Sequence, residues 1–560
     1  MRFRLRARLL IPALALSATL SACACNDAVT KNAAAEPPKR AAVVPQDGST
    51  VEPDTVAAPT TAEPDTSTPA PEPAVPGAAF TSPTGLTPAG ETALRWLADA
   101  HLHGVDLTVP EAVTAWREAP LAETQAATED AIAGAVTRLA AALAPRPNTT
   151  PILQDADGYY ASPDTLWLDV EPAAPTDALR TAVVEAARKG ELDALLTSRL
   201  PTEPQYARLV AAARRYEALC AEGGWAPVVV PRPEVKRGSR WRDTEEITAL
   251  QKRLALEGFL TGEPTGTYDE ATADAVERFR DSRALWSKRY YDSDVAEALN
   301  VPCADRLATL LVNVRRWRHT ARTDQPTYVR VNLAAALIRY VRDGELRATH
   351  RAVVGSGRTM YHRGIERRIR RNATPVMHDE ISNVVLNPEW KVPVRLARQE
   401  IGPAIEKDPE YAKKHGFRVV TTGNGQEMYV QAHGPQNALG QVKLTFPNSE
   451  SIYLHGTPKQ GYFRYPKRDF SHGCVRVKGA VDLGITLLKD DFEARGESLS
   501  EYILKKAIKD NEKTYWYGLE KPVPIYLEYY TASVDDDGAV HFHPDIYAYD
   551  ETTLKALAAE

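Results

Sequence analysis

The chain has 560 residues, a formal net charge of −6, 41 prolines and five cysteines. That length holds two or three domains of roughly 150 residues beside any low-complexity segment. The modest acidic balance gives no electrostatic footprint for nucleic acid, so no nucleic-acid partner is expected.

Arg2, Arg4, Arg6 and Arg8 precede an apolar run from Leu9 to Leu20, and small residues follow. A positive start, a short apolar core and small residues read as a secretory signal peptide over 1–22, because ~12 residues cannot span a bilayer core of about 30 Å. Leu20-Ser21-Ala22-Cys23 resembles a bacterial lipobox, which implies cleavage before Cys23, lipidation of that cysteine and a membrane anchor on the periplasmic side. Ala24 stands where an inner-membrane retention Asp is found in enteric bacteria, which favours the outer membrane. From Asn26 to Ala79 there is no Leu, Ile, Met or aromatic residue, so 23–79 cannot bury a core. It reads as a disordered Pro/Ala/Thr-rich tether with a reach on the order of 100 Å.

Residues 80–230 read as a helical domain, with Ala-rich helices expected over Glu111–Ala119, Glu129–Ala144 and Thr176–Lys189. His101 and His103 meet no spaced Cys/His set and read as surface or core histidines. Cys220 and Cys303 suit either a disulfide in an oxidising compartment or two separate thiols, and sequence does not show proximity. Over 235–302, Leu250, Leu254, Leu256 and Phe259 recur near helical spacing, a glycine turn follows, and YDEATADAVERFRDSRAL forms a second amphipathic helix. The ALQKRL and AVERF elements resemble the PG_binding_1 peptidoglycan-binding domain. Two features depart from it: Arg280 replaces the customary Gln after Phe279, and KRYYDSDV replaces the usual DG-x-x-G turn. Glycan binding and docking onto the next domain are therefore equal expectations for this module.

A linker helix is expected over 303–326, and a mainly β domain over 327–550. Asp343-Gly344 and Asp537-Gly538 mark hairpins between β-rich runs. RLARQEIGPAIEKDPEYAKKHGF, after Pro393, is charged and helical. Arg363, Arg367, Arg368, Arg370 and Arg371 crowd a basic insertion, read either as a solvated face or as a carboxylate-binding patch.

Within that domain, SIYLH alternates as a half-buried strand and ends on His455, 19 positions before Cys474 in the turn Ser471-His472-Gly473-Cys474. A cysteine attacks as thiolate, and a neighbouring imidazole lowers its pKa or takes its proton. Gly473 permits a turn whose N–H groups form an oxyanion hole. The bland alternative is a buried cysteine and a satisfied core histidine, and the spacing alone does not exclude it.

HGT at His455–Thr457 and SHGCVRV at Ser471–Val477 are preceded by Thr374-Pro375, NPEWKVP from Asn387, GPQNALGQVK from Gly434 and FPN from Phe446. In that order they resemble the YkuD-type L,D-transpeptidases, cysteine enzymes that cross-link peptidoglycan, in their large YcbB-like branch. The resemblance implies a multidomain α+β fold. A mainly β catalytic domain with a helical cap insertion near 393–420 would follow an α-helical scaffold and the small peptidoglycan-binding-like domain. It implies acyl transfer without metal or cofactor. Cys474 is then the nucleophile, His455 the base and the Gly456 carbonyl its orienting group. Ser471, His472 and Gly473 form the oxyanion turn, and Arg476, Asn437, Trp390 and Tyr453 lie on the substrate side. The implied partners are peptidoglycan peptide stems joined by 3–3 cross-links. A lysine of an outer-membrane protein or water are the alternative acceptors, and an inactive wall-binding lipoprotein is the contrasting class.

Overall fold

The computed structural model describes residues 77–557 apart from 83, 121, 146–172, 232–233, 238–243, 321–324, 359, 362–367, 370–371, 422, 424 and 426. The signal peptide, Cys23 and nearly all of the tether lie outside the described residues, as do Arg363, Arg367, Arg370 and Arg371. Among the described residues no helix is long and apolar enough to cross a membrane.

The N-terminal part is helical, as its composition requires. Helices Pro88–Ala98, Glu111–Glu118, Ala122–Leu143 and Asp177–Lys189 bury Leu94, Leu97, Val113, Ile132, Val136, Leu139 and Val183 in one cluster. Thr176 caps the last of these by accepting from the Leu179 N–H at 3.1 Å. The third helix starts well before Glu129, because the Ala/Glu/Gln segment ahead has high helix propensity without apolar periodicity. Helix Pro204–Ala221 lies beside Cys303–His319, and a Cys220–Cys303 disulfide joins them. Both contribute to a core with the hairpin Ala532–Val534/Val540–Phe542, where the Trp317 and Tyr530 rings stack at 4.4 Å.

The small module comprises helices Thr244–Leu256, Glu270–Ser282 and Ser293–Leu299 around Leu250, Leu254, Phe259, Val276 and Phe279. Its departures from the family pattern answer each other. Arg280 is fully buried, donates to the Tyr290 and Trp286 carbonyls at 3.2 Å each, and pairs with Asp292. The arginine thus holds the segment that stands in place of the glycine turn, and that segment pairs as Tyr290–Tyr291 with Val235–Lys236. Arg283 bonds the Val540 carbonyl at 2.6 Å and pairs with buried Glu257, which seats the module on the C-terminal hairpin.

The mainly β domain is one nine-stranded sheet: β1 Tyr328–Asn332, β2 Leu337–Arg342, β3 Glu345–Gly355, β4 Met377–Leu386, β5 Val442–Thr445, β6 Leu454–His455, β7 Asp469–Ser471, β8 Val475–Val477 and β9 Tyr515–Glu528. The order is β7-β3-β8-β6-β5-β4-β9-β1-β2, and β2 also pairs with β3, so eight strands close into a circuit. The sequence of β3 explains its double duty. ELRATHR is polar and exposed in the hairpin with β2, whereas AVVG is wholly buried and runs between β8 and β7. Asp343 and Gly344 take φ of 53° and 82°, as a two-residue hairpin turn requires. Helix Ala480–Ala494 covers the sheet with Leu483, Leu487 and Leu488, each worth about 1.5–3 kcal/mol on full burial.

Between β4 and β5 lies the cap. It is helical at Val394–Leu396, Gly402–Lys407 and Tyr411–Lys414, as expected. It also contains a three-stranded sheet of Trp390–Lys391, Glu427–Gln431 and Phe417–Thr421, which the helical reading of this stretch did not include. Val392, Leu396 and Ile401 form its own small core against Trp390, Phe417 and Tyr429.

Candidate active site

The register of three short strands assembles the site. β6 and β8 run parallel with Leu454 opposite Val475 and His455 opposite Arg476, and β5 runs antiparallel with Lys443 opposite His455. Leu454, Val475 and Leu444 point into the core. Strand alternation therefore sends Tyr453, His455, Cys474, Arg476 and Lys443 to the other face together. The Val475 N–H donates to the Tyr453 carbonyl at 3.2 Å, which brings Cys474 beside Tyr453. Tyr453 and His455 have ring centroids 5.7 Å apart, and the Lys443 ammonium lies 3.8 Å from the Tyr453 ring.

The His455 tautomer follows from its partner. Nδ1 lies 2.5 Å from the Gly456 carbonyl, which only accepts, so Nδ1 carries the proton and Nε2 keeps its lone pair. Burial, then the Arg476 charge, push the His455 pKa down to about 3. Burial also pushes the half-buried Cys474 thiol up. The Tyr453 backbone N–H and hydroxyl, Lys443 and Arg476 oppose that shift. The resting pair is thus neutral thiol and neutral imidazole, with two cations at hand for a thiolate.

The turn is built by side-chain hydroxyls. Ser471 Oγ donates to the Cys474 carbonyl at 2.5 Å and accepts from the Gly473 N–H at 3.2 Å. Thr374 Oγ1 donates to the Gly473 carbonyl at 2.7 Å and accepts from the Gly355 N–H at 2.8 Å. Gly473 sits at φ 127°, where a side chain would be strained. Its N–H serves the turn in the resting state, so it is not a free oxyanion donor. His472 faces the cap, its Nε2 2.8 Å from Glu400, and burial holds its pKa below the ordinary value against that carboxylate.

Of the residues expected at the site, Cys474, His455, Gly456, Ser471, His472, Gly473, Arg476 and Tyr453 come together. Trp390 stands in the cap, paired with Gln431 in its small sheet and packed against Phe417. Asn437 does not join the site: it is buried, its Nδ2 donates to the Pro388, Gln431 and Ala432 carbonyls, and its Oδ1 accepts from the Leu439 N–H. With its hydrogen bonds spent on the backbone, Asn437 braces the loop and leaves nothing for a substrate. Lys443 and Glu400 are neighbours of the site that reading single residues missed, and Thr374, noted only as part of the Thr374-Pro375 element, proves to brace the turn. The alternation of Val442-Lys443-Leu444 was the available signal for the first.

Residues 326–483 match the YkuD family model, described as an L,D-transpeptidase catalytic domain. The chain carries an L,D-transpeptidase-type catalytic domain. Residues 243–284 match PG_binding_1, described as "Putative peptidoglycan binding domain". A curated protein of Haemophilus influenzae named "Putative L,D-transpeptidase" is 32% identical over 237 residues, covering 39% of this chain and 44% of that relative, so less than half of its length is matched. Among solved structures, an L,D-transpeptidase from Xylanimonas cellulosilytica is 19% identical over 53% of this chain and 100% of that one, with a TM-score of 0.17. An L,D-transpeptidase from Mycobacterium smegmatis is 13% identical over 36% of this chain and 58% of its own, with a TM-score of 0.18.

Proposed function

We propose that this protein is an L,D-transpeptidase that forms 3–3 cross-links in peptidoglycan through a thioester on Cys474. The observation that carries the reading is the shared face of Cys474 and His455, with the Nδ1 proton of His455 tied to Gly456 and Nε2 left as the base. The thiol sulfur attacks the carbonyl of the L-centre of a diaminopimelate-type residue in a tetrapeptide stem while its proton passes to His455 Nε2. The tetrahedral oxyanion is held by backbone N–H groups of the turn, with the Cys474 N–H foremost because that of Gly473 is engaged. Collapse breaks the peptide bond, and His455 returns the proton to the departing D-Ala amine. A side-chain amine of a second stem then attacks the thioester, gives its proton to His455 and frees the thiol.

Arg476 serves the donor. Among the described residues its Nη1 is buried without a hydrogen-bond partner, which suits a substrate carboxylate. Pairing with that carboxylate would relieve the charge that depresses His455 and strengthen the base only once substrate is bound. The cap, tied to the turn by Glu400–His472 and to the Thr374 segment by Arg395–Asn372 at 2.9 Å, acts as the lid. Export, the lipid at Cys23 and the outer membrane complete the proposal. Mass spectrometry of muropeptides after incubation with the purified protein tests it. Tetrapeptide stems should become 3–3 dimers with loss of D-Ala, whereas trimmed stems or a protein-linked stem would point to water or a lysine as acceptor.

A further inference from the structure

Beside the thiol, the surface carries a row of aromatic rings for which neither the core nor the acyl transfer accounts. Trp286, Tyr465 and Phe470 are 46%, 44% and 37% exposed. Ring centroids are 5.4 Å apart between Trp286 and Tyr465, 5.4 Å between Tyr465 and Phe470, and 5.2 Å between Phe470 and the half-buried Tyr462. The row leads inward, since the Arg476 guanidinium lies 5.8 Å from the Tyr462 ring and Phe470 sits on β7, four positions before Cys474. Its outer end belongs to the small module, where the Arg280 bond to the Trp286 carbonyl fixes the loop.

We propose that Trp286, Tyr465 and Phe470 form a saccharide-binding row that holds a peptidoglycan glycan strand while its stem peptide enters the site of Cys474. The inference rests on the transpeptidase reading above. Exposed aromatic patches mark binding surfaces, and Trp and Tyr combine an apolar face with a polar handle. A pyranose ring has the same character, with one face of C–H groups and a rim of hydroxyls. The rings run single file, with exposed Arg464 and Lys467 along the same segment, which suits a narrow, hydroxylated polymer better than a broad apolar protein face. The row is preorganised, because Arg283 locks the module to the C-terminal hairpin. It also gives the module a role that its own departures from the family pattern do not remove: one ring of the row comes from the module and the others from the catalytic domain.

The test uses the full chain and chitohexaose, a soluble β-1,4-linked N-acetylglucosamine hexamer, titrated by calorimetry. Trp286→Ala combined with Phe470→Ala should raise the dissociation constant about tenfold or more, a loss of ~1.4 kcal/mol or more. Trp286→Phe should restore part of the binding, and acylation of Cys474 by a carbapenem should proceed at the wild-type rate, which shows the site intact. Cross-linking of glycan-linked stems should fall in step with hexamer binding. Equal hexamer affinity in both proteins, or binding only to lipid vesicles or to another protein, overturns the row as a saccharide site. Hexamer binding that depends on the row in a protein whose Cys474 is never acylated would instead overturn the transpeptidase reading and leave the row standing.

Discussion

Replacing Lys443 with Met probes the neutral resting pair directly. Lys443 is opposite His455 in the sheet, lies over the Tyr453 ring at 3.8 Å and is one of the charges that favour the Cys474 thiolate. Burial works in the other direction and dominates, so the wild-type thiol stays protonated through neutral pH. Loss of one nearby cation raises a thiol pKa by about one unit, which is ~1.4 kcal/mol and tenfold less thiolate at a given pH. The assay is alkylation of Cys474 by iodoacetamide between pH 5 and 9. In the wild type the logarithm of the rate should climb steadily with pH, and in the Lys443→Met protein the same line should lie about tenfold lower. A wild-type rate that is flat from pH 5 to 8 would mean a preformed thiolate–imidazolium pair and would refute the reasoning. An unshifted line in the variant would remove Lys443 from it.

Three further outcomes are expected. A Cβ on Gly440 would lie 2.6 Å from the Thr457 nitrogen and 2.7 Å from the Gly456 carbonyl carbon, so Gly440→Ala should displace the carbonyl that orients His455. Strain of about 1–3 kcal/mol there should cut carbapenem acylation tenfold or more, and a wild-type rate would contradict the orienting role. The Cys220–Cys303 bridge closes a separation of 83 residues, so its removal as the double Ser variant should cost about 4.5 kcal/mol by loop closure while leaving Cys474 acylation intact, as read by melting and by mass. His103 and His378 are pushed by burial to about 4, and His455 and His543 to about 3, from an ordinary 6.5. Below pH 6.5 the unfolded chain binds protons that the folded one refuses. Stability is therefore complete above that pH and declines toward pH 4, by on the order of 2 kcal/mol per histidine at pH 5. A urea midpoint unchanged between pH 7 and 5 would contradict this.

The parts of the fold that local chemistry specifies were legible. Asp343-Gly344 announced the β2–β3 hairpin, Ala-rich runs announced helices, and the order of HGT and SHGCVRV, rather than the spacing alone, singled out His455 and Cys474, which the structure places at the end of β6 and in the turn before β8. What remained hidden depends on pairing between distant segments. Lys443 becomes part of the site only because β5 lies against β6, and Glu400 only because the cap reaches the turn. The resemblance implied a place for Asn437 on the substrate side, and only the surrounding carbonyls show that its side chain is engaged by the backbone. Arg280 read as a defect in the module until its partners at Tyr290 and Asp292 gave it a purpose. The cap's sheet was hidden because the helical, charged segment separates Trp390–Lys391 from its partner Glu427–Gln431, and the hairpin with Phe417–Thr421 follows that segment.

The central claim is that Cys474 carries the stem as a thioester, and the intact mass of the protein during incubation with tetrapeptide-bearing muropeptides tests it most directly. The account predicts an adduct of the stem less D-Ala on Cys474, followed by 3–3 dimers, with neither seen in Cys474→Ala. Dimers formed equally well by Cys474→Ala would contradict it.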